Sequence, residues 1–157
     1  MTSGCSVRPR VLVIGPVSLT FELTGANITA VSTHVTLAEL PGRPCPIAAG
    51  LELVGERWAL LVVRELALGA HRFTEIVAGT GAPRDRIAAR LKALGEAGVV
   101  ERRQYQSAPE RFEYHLTESG RALLPVLDAL LVWGRDWAVS PDDPDRRRYR
   151  SLRRQEA

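Results

Sequence analysis

The hydrophobic period changes twice along this chain, and few folds accommodate both changes. From Pro46 the apolar residues recur at helical spacing, after Gly98 they alternate as in a strand, and after Thr117 they return to helical spacing. Ile47, Leu51 and Val54 fall on one face at i, i+4 and i+7, and Gly55 ends that helix. A second helix over 57–68 is apolar on nearly every side through Trp58, Leu60, Leu61, Val62, Val63 and Leu66, which makes it the centre of a core. Gly69 terminates it, and 73–78 reads as a short third helix ending at Gly79 and Gly81. Pro83, favoured in a first turn, opens a fourth helix whose stripe Ile87, Leu91, Leu94 runs on to Gly98. Residues 99–105 and 111–116 then pair as a hairpin about a polar turn at 106–110. Thr117, with Glu118 and Ser119, opens a last helix carrying Leu123, Leu124, Leu127, Leu130, Leu131 and Trp137.

Helix, helix, short helix, turn, helix, hairpin is the order of a winged helix-turn-helix, in which one helix enters the major groove and the hairpin flanks it. The expected fold class is therefore α+β, mostly helical, with a two-stranded wing and a long terminal helix for dimerisation. Three regions are expected: an extension over 1–44, a winged-helix domain over 45–138, and a basic mobile tail over 139–157. The extension ends at Pro41-Gly42-Arg43-Pro44 and lacks helical periodicity. It reads as a dispensable, poorly ordered preface, or as upstream sequence translated from a wrongly assigned start, with Val31 or Val35 as the true one. The rival is a strand over 11–14 or 17–23 packed on the domain or on a partner. The tail carries Asp142, Asp143 and Asp145, then Arg146, Arg147, Arg148, Arg150, Arg153 and Arg154, with little to bury.

Composition narrows the function. With 157 residues and 45% apolar content the chain can bury one ordinary core. Arg8 and Arg10 before an apolar run resemble a signal peptide, but Gly15 and Pro16 split the run, which is too short to span a bilayer. Cys5 and Cys45 form no CxxC unit. The expected setting is cytoplasmic and reducing, with no membrane partner, so the sequon Asn27-Ile28-Thr29 is chance. Nearly all the cations are Arg, Lys92 being the one lysine, which fits bidentate phosphate and guanine contacts but equally a GC-rich codon bias. His34, His71 and His115 lack metal-ligand spacing, and neither GxSxG, HExxH nor a phosphate-binding glycine loop occurs. No enzyme activity, metal or cofactor is expected.

Residues 45–138 resemble the HxlR family of bacterial regulators, a branch of the winged-helix proteins related to MarR regulators. The resemblance rests on Cys45-Pro46, Gly55-Glu56-Arg57-Trp58, Leu66 with Gly69, Arg72-Phe73-Thr74-Glu75-Ile76 and Arg90-Leu91-Lys92-Ala93-Leu94. It continues through Glu96-Ala97-Gly98-Val99-Val100, Tyr114-His115-Leu116-Thr117, Gly120 and Leu124-Pro125-Val126-Leu127. It implies a homodimeric repressor or activator on a double-stranded operator with dyad symmetry, its first and last helices forming the dimer interface. The interface residues expected on that footing are Ile47, Leu51, Leu123, Leu127, Leu130 and Leu131. Some family members sense oxidants through a cysteine near the first helix, which makes Cys45 a candidate redox sensor beside a packing role. Helix-terminal amides and Arg43 both favour its thiolate.

The candidate DNA-binding residues lie on the fourth helix and the hairpin. Arg84, Asp85, Arg86 and Ala89 are assigned to the groove, where Arg84 and Asp85 reach base edges and small Ala88 and Ala89 permit close approach. Lys92 shares that side, and Arg90 either contacts phosphate or anchors the helix internally. Arg102, Arg103 and Arg111 are assigned to phosphates or the minor groove beside it. Between residues 81 and 112 seven cations meet four acids, whereas 45–138 as a whole balances, twelve against twelve, so positive charge gathers in the DNA-binding half. Two other readings stand: a winged helix that binds protein instead of DNA, indicated if Arg84 and Arg86 were buried in contacts, and a thiol-based regulator working through Cys45. The effector is an unidentified small molecule or oxidant.

Overall fold

The computed structural model describes residues 10–14, 17–24, 27–29, 33–148 and 151–152. The first of these carry four antiparallel strands: β1 (Arg10–Ile14), β2 (Val17–Thr24), β3 (Asn27–Thr29) and β4 (Thr33–Val35). β2 is central and pairs with all three others, β1 in register from Arg10↔Phe21 to Ile14↔Val17. Strands thus lie over 11–14 and 17–23, in keeping with the β-branched composition there, and they pair with one another.

From Cys45 the winged helix follows. α1 (Pro46–Val54) starts on Pro46, and α2 (Ala59–Ala67), α3 (Phe73–Thr80) and α4 (Arg84–Glu96) come after it. α2 packs against α3, α4, the last helix and the wing, and its Val62 and Val63 are fully buried with Ile76, Ile87, Leu94 and Leu124. Trp58, which caps α2, holds φ at 80°, a left-handed conformation that costs a non-glycine residue about 1–3 kcal/mol and persists only where the surroundings impose it. Its ring packs on the core, with the Arg57 guanidinium 4.6 Å from its centroid.

The wing is β5 (Val100–Ser107) paired with β6 (Glu110–Leu116) from Val100↔Leu116 to Ser107↔Glu110, with a register shift between Gln104 and Gln106. The Tyr114 amide donates to the His71 carbonyl at 2.9 Å, tying the segment before α3 to the wing. This is the α+β, mostly helical winged-helix architecture that the periodicity predicts.

Two expectations need correction. The last helix is not continuous: α5 (Glu118–Arg121) and α6 (Leu124–Trp133) are separate, followed by a π turn over Gly134–Ala138. Pro125 explains the break, because it lacks an amide and its ring would clash with a preceding helical carbonyl, so it is accommodated in the first turn of a new helix. Nor does the tail behave as a mobile end throughout. Leu152 is only 4% exposed and joins the core cluster. The Asp128 carboxylate accepts from the Ser151 hydroxyl at 2.9 Å and from the Leu152 amide at 2.8 Å, and Arg146 Nε donates to the Arg135 carbonyl at 2.7 Å. Leu152 and the Asp128 carboxylate of α6 thus hold residues 151 and 152 against the domain. Arg153 and Arg154 lie outside the described residues, as does Cys5.

Candidate nucleic-acid interface

The α3–α4 turn is built by local hydrogen bonds. Thr80 Oγ1 donates to the Ile76 carbonyl at 2.8 Å, and Gly81, at φ 65°, sends its amide to Val77 at 3.0 Å. That left-handed residue closes α3 at no Cβ penalty. Buried Ala82 then pins the turn to the core, and Pro83 accepts from the amides of Arg86 and Ile87 at 3.1 Å. At the other end of α3 the Glu75 carboxylate accepts from the amides of Arg72 (2.9 Å) and His71 (3.1 Å). The Arg72 amide, foremost, holds the Glu75 carboxyl below the usual carboxylate range, against the opposing effect of desolvation.

With Ile87, Leu91 and Leu94 buried, α4 turns Arg84, Asp85, Arg86, Ala88, Ala89 and Lys92 to solvent. The Arg84 guanidinium lies 5.0 Å from the Phe73 ring centroid, so an aromatic of α3 steadies it without burying it. Arg86 and Asp85 pair at 3.6 Å and Lys92 and Glu96 at 3.8 Å, all well exposed. Exposed pairs of this kind are worth about 0–1 kcal/mol and exchange readily for a phosphate or a base edge. Arg90 differs: its side chain is 25% exposed and pairs with Glu56 at 3.6 Å, linking α4 to the turn before α2.

Strand alternation divides the wing cations. Arg102 stacks 3.4 Å from the centroid of Phe112 and, with Tyr114 and Val100, lines a crevice of about 520 Å³ shared with Ala88 and Lys92 of α4. Arg103, in register with Glu113, projects from the other face and pairs with Glu101. Arg111 is exposed near the wing turn. Sequence reasoning missed Phe73 and Tyr105 as platforms; the latter ring lies 5.5 Å from the Arg72 guanidinium. Both pairs join residues distant in sequence, so no local signal marked them.

The expected interface residues also separate. Ile47, Leu51 and Leu130 are exposed and Leu131 is half-buried, but Leu127 belongs to the core and Leu123 packs against it. Leu127 is therefore corrected from interface to core, since it shares the inward face of α6 with Leu124. Val126, not expected there, joins Leu130, Trp133 and Trp137 on the outward face, where the four run at i, i+4, i+7 and i+11 and are all exposed. α1 contains no buried residue at all. Cys45 is a free, half-buried thiol at the N-cap of α1.

Among the described residues no cluster of metal-ligating side chains occurs, and no helix is long and apolar enough to cross a membrane. A family model described as HxlR-like helix-turn-helix matches residues 53–142. An HTH-type transcriptional regulator of Mycobacterium tuberculosis, Rv3095, is 43% identical over 98 residues, covering 62% of this chain and 62% of its own length. This chain thus spans under two thirds of the mycobacterial relatives it matches. YvaP of Bacillus subtilis, another HTH-type transcriptional regulator, is 37% identical over 59% of this chain and 88% of its own. Among solved structures, the reduced form of the transcriptional regulator YodB from B. subtilis superposes with a TM-score of 0.52 at 33% identity, over 63% of this chain and 98% of that one. The redox regulator HypR in its oxidised form gives 0.52 at 30% identity, over 59% and 96%.

Proposed function

The chain belongs to the HxlR-like helix-turn-helix family, and from that premise we propose that it is a cytoplasmic, homodimeric transcription regulator that reads double-stranded DNA with α4. The observation that carries this reading is the outward side of α4, where Arg84, Asp85, Arg86 and Ala89 stand clear of the core stripe and are exposed. Neither Arg84 nor Arg86 is buried in contacts within the chain, which supports their availability to DNA. Arg84 and Asp85 meet base edges, Arg86 and Lys92 meet phosphates, and the small Ala88 and Ala89 let the duplex approach. Arg90 positions α4 through Glu56. Arg102, Arg103 and Arg111 give the wing its hold on the backbone beside the helix.

The apolar stripe of α6 and the unburied apolar residues of α1 support a partner, and a second copy satisfies both by two-fold symmetry. Two copies of α4 then meet successive major grooves about one helical turn apart. The test is a salt-titrated anisotropy measurement on the DNA upstream of its own gene. Tight binding whose affinity falls steeply with salt, and whose specific component disappears in the Arg84→Ala/Arg86→Ala double variant at an unchanged melting temperature, is the expected result. Unaltered affinity in that variant would remove α4 from the role. A second reading rests on Cys45: a thiol at a helix N-cap, in a chain similar to YodB and HypR, suits oxidant sensing. Diamide should then release DNA from the wild type and not from Cys45→Ser.

A further inference from the structure

The face of the wing turned away from α4 borders a second cleft. Between that face, the C-terminal end of α2 and α5 lies a cleft of about 340 Å³, within the size range of small-ligand sites. Every ionisable side chain lining it is basic: His71, Arg103, His115 and Arg121. The two imidazoles stack with centroids 4.3 Å apart and planes at 24°. His71 Nδ1 sits 3.0 Å from the Tyr114 carbonyl, which can only accept, so Nδ1 carries the hydrogen and the ring is anchored to the wing. Arg121 Nη1 donates to the Leu116 carbonyl at 2.8 Å, which fixes the guanidinium and leaves its remaining donors. Two carboxylates stand nearby without lining the cleft: Glu101 holds Arg103, and Glu113 lies 3.6 Å from His115 Nε2. What lines the cleft is therefore a pair of guanidiniums beside two stacked imidazoles, with Arg103 held by Glu101 and Arg121 by the Leu116 carbonyl.

We infer that this cleft binds a small oxyanion, a phosphate- or carboxylate-bearing metabolite, as the effector of the regulator. The guanidiniums of Arg103 and Arg121, with the His115 ring beside them, match an oxyanion's acceptors, and Arg103 can exchange Glu101 for the ligand. Because the cleft and α4 lie on opposite faces of the wing, the ligand leaves the groove-reading side clear. Arg103 is the one side chain common to the cleft and the proposed backbone contacts, so occupancy draws on the wing's hold on DNA. Only this regulatory consequence rests on the DNA-binding reading, and the binding itself is tested without DNA.

The test is thermal denaturation of the full chain, titrated with inorganic phosphate and separately with citrate, against sodium chloride at matched ionic strength. A ligand of the folded state raises the melting temperature saturably. The expected result is such a rise with at least one oxyanion, with apparent affinity about tenfold weaker in Arg103→Gln and in His115→Gln, as for loss of one charge-assisted hydrogen bond. Arg84→Ala, outside the cleft, should respond as the wild type does. Arg103 is 61% exposed, so its variant carries the comparison should His115→Gln fold poorly. Absence of a rise beyond the chloride control, or an equal rise in Arg103→Gln, would overturn the inference. So would loss of the phosphate response when saturating duplex is added together with weakened duplex binding by His115→Gln, since the site would then belong to the DNA backbone.

Discussion

Gly120 shows how much a single position can be constrained. A Cβ placed there would stand 2.2 Å from the Val99 carbonyl oxygen, a backbone atom with no freedom to step aside. The same corner is locked by Thr117, whose hydroxyl donates to the Gly98 carbonyl at 2.6 Å and accepts from the Gly120 amide at 3.1 Å. Gly120→Ala should therefore lower the unfolding free energy by about 1–3 kcal/mol, the usual penalty of overpacking, read from urea denaturation. Wild-type stability in that variant would mean that α5 can ride away from the wing. The Thr117 cap was legible in the sequence because its chemistry is local. The crowding at Gly120 was not, since it depends on a carbonyl 21 residues away. Arg84 and Arg90 teach the same lesson, one lying on Phe73 and the other against Glu56, partners that no spacing rule along α4 reveals.

At the scale of elements, α1 to α4 and the wing follow the periodicity closely, because each apolar pattern is bounded by a glycine, a proline or a polar turn, although only α2, α3 and α4 carry buried stripes and the apolar face of α1 stays unburied. α6 departs from the sequence reading since, Asp128 aside, apolar residues occupy every side of it and periodicity cannot rank the faces. The core takes Leu124 and Leu127 and leaves Val126, Leu130, Trp133 and Trp137 outside. Leu130→Asp should thus give a folded monomer in sedimentation velocity, whereas Leu127→Asp, burying an unpaired carboxylate, should unfold the chain. A Leu130→Asp dimer would remove α6 from the interface. The tail departs for a different reason, since Leu152 is one apolar residue among arginines and carries no period. Buried at 4% exposure, it should cost about 2–5 kcal/mol when replaced by alanine. A change within error would show that the tail is dispensable to the fold.

For the whole molecule, the balance of charge matters less than its placement. The chain carries +3 overall, while its cations gather on α4 and the wing. The strands β1 to β4 pair with one another, and the family match begins only at residue 53, so the proposed machinery lies wholly beyond them. Affinity alone would not separate a specific regulator from a basic surface, because phosphate contacts bind any sequence. The most direct measurement is selection from random duplex DNA by the full chain, followed by sequencing of the bound pool. A dyad-symmetric site with half-sites centred about 10 base pairs apart should emerge, and Arg84→Ala/Arg86→Ala should enrich nothing. A pool that stays random, or a site that the double variant selects equally well, would contradict the account.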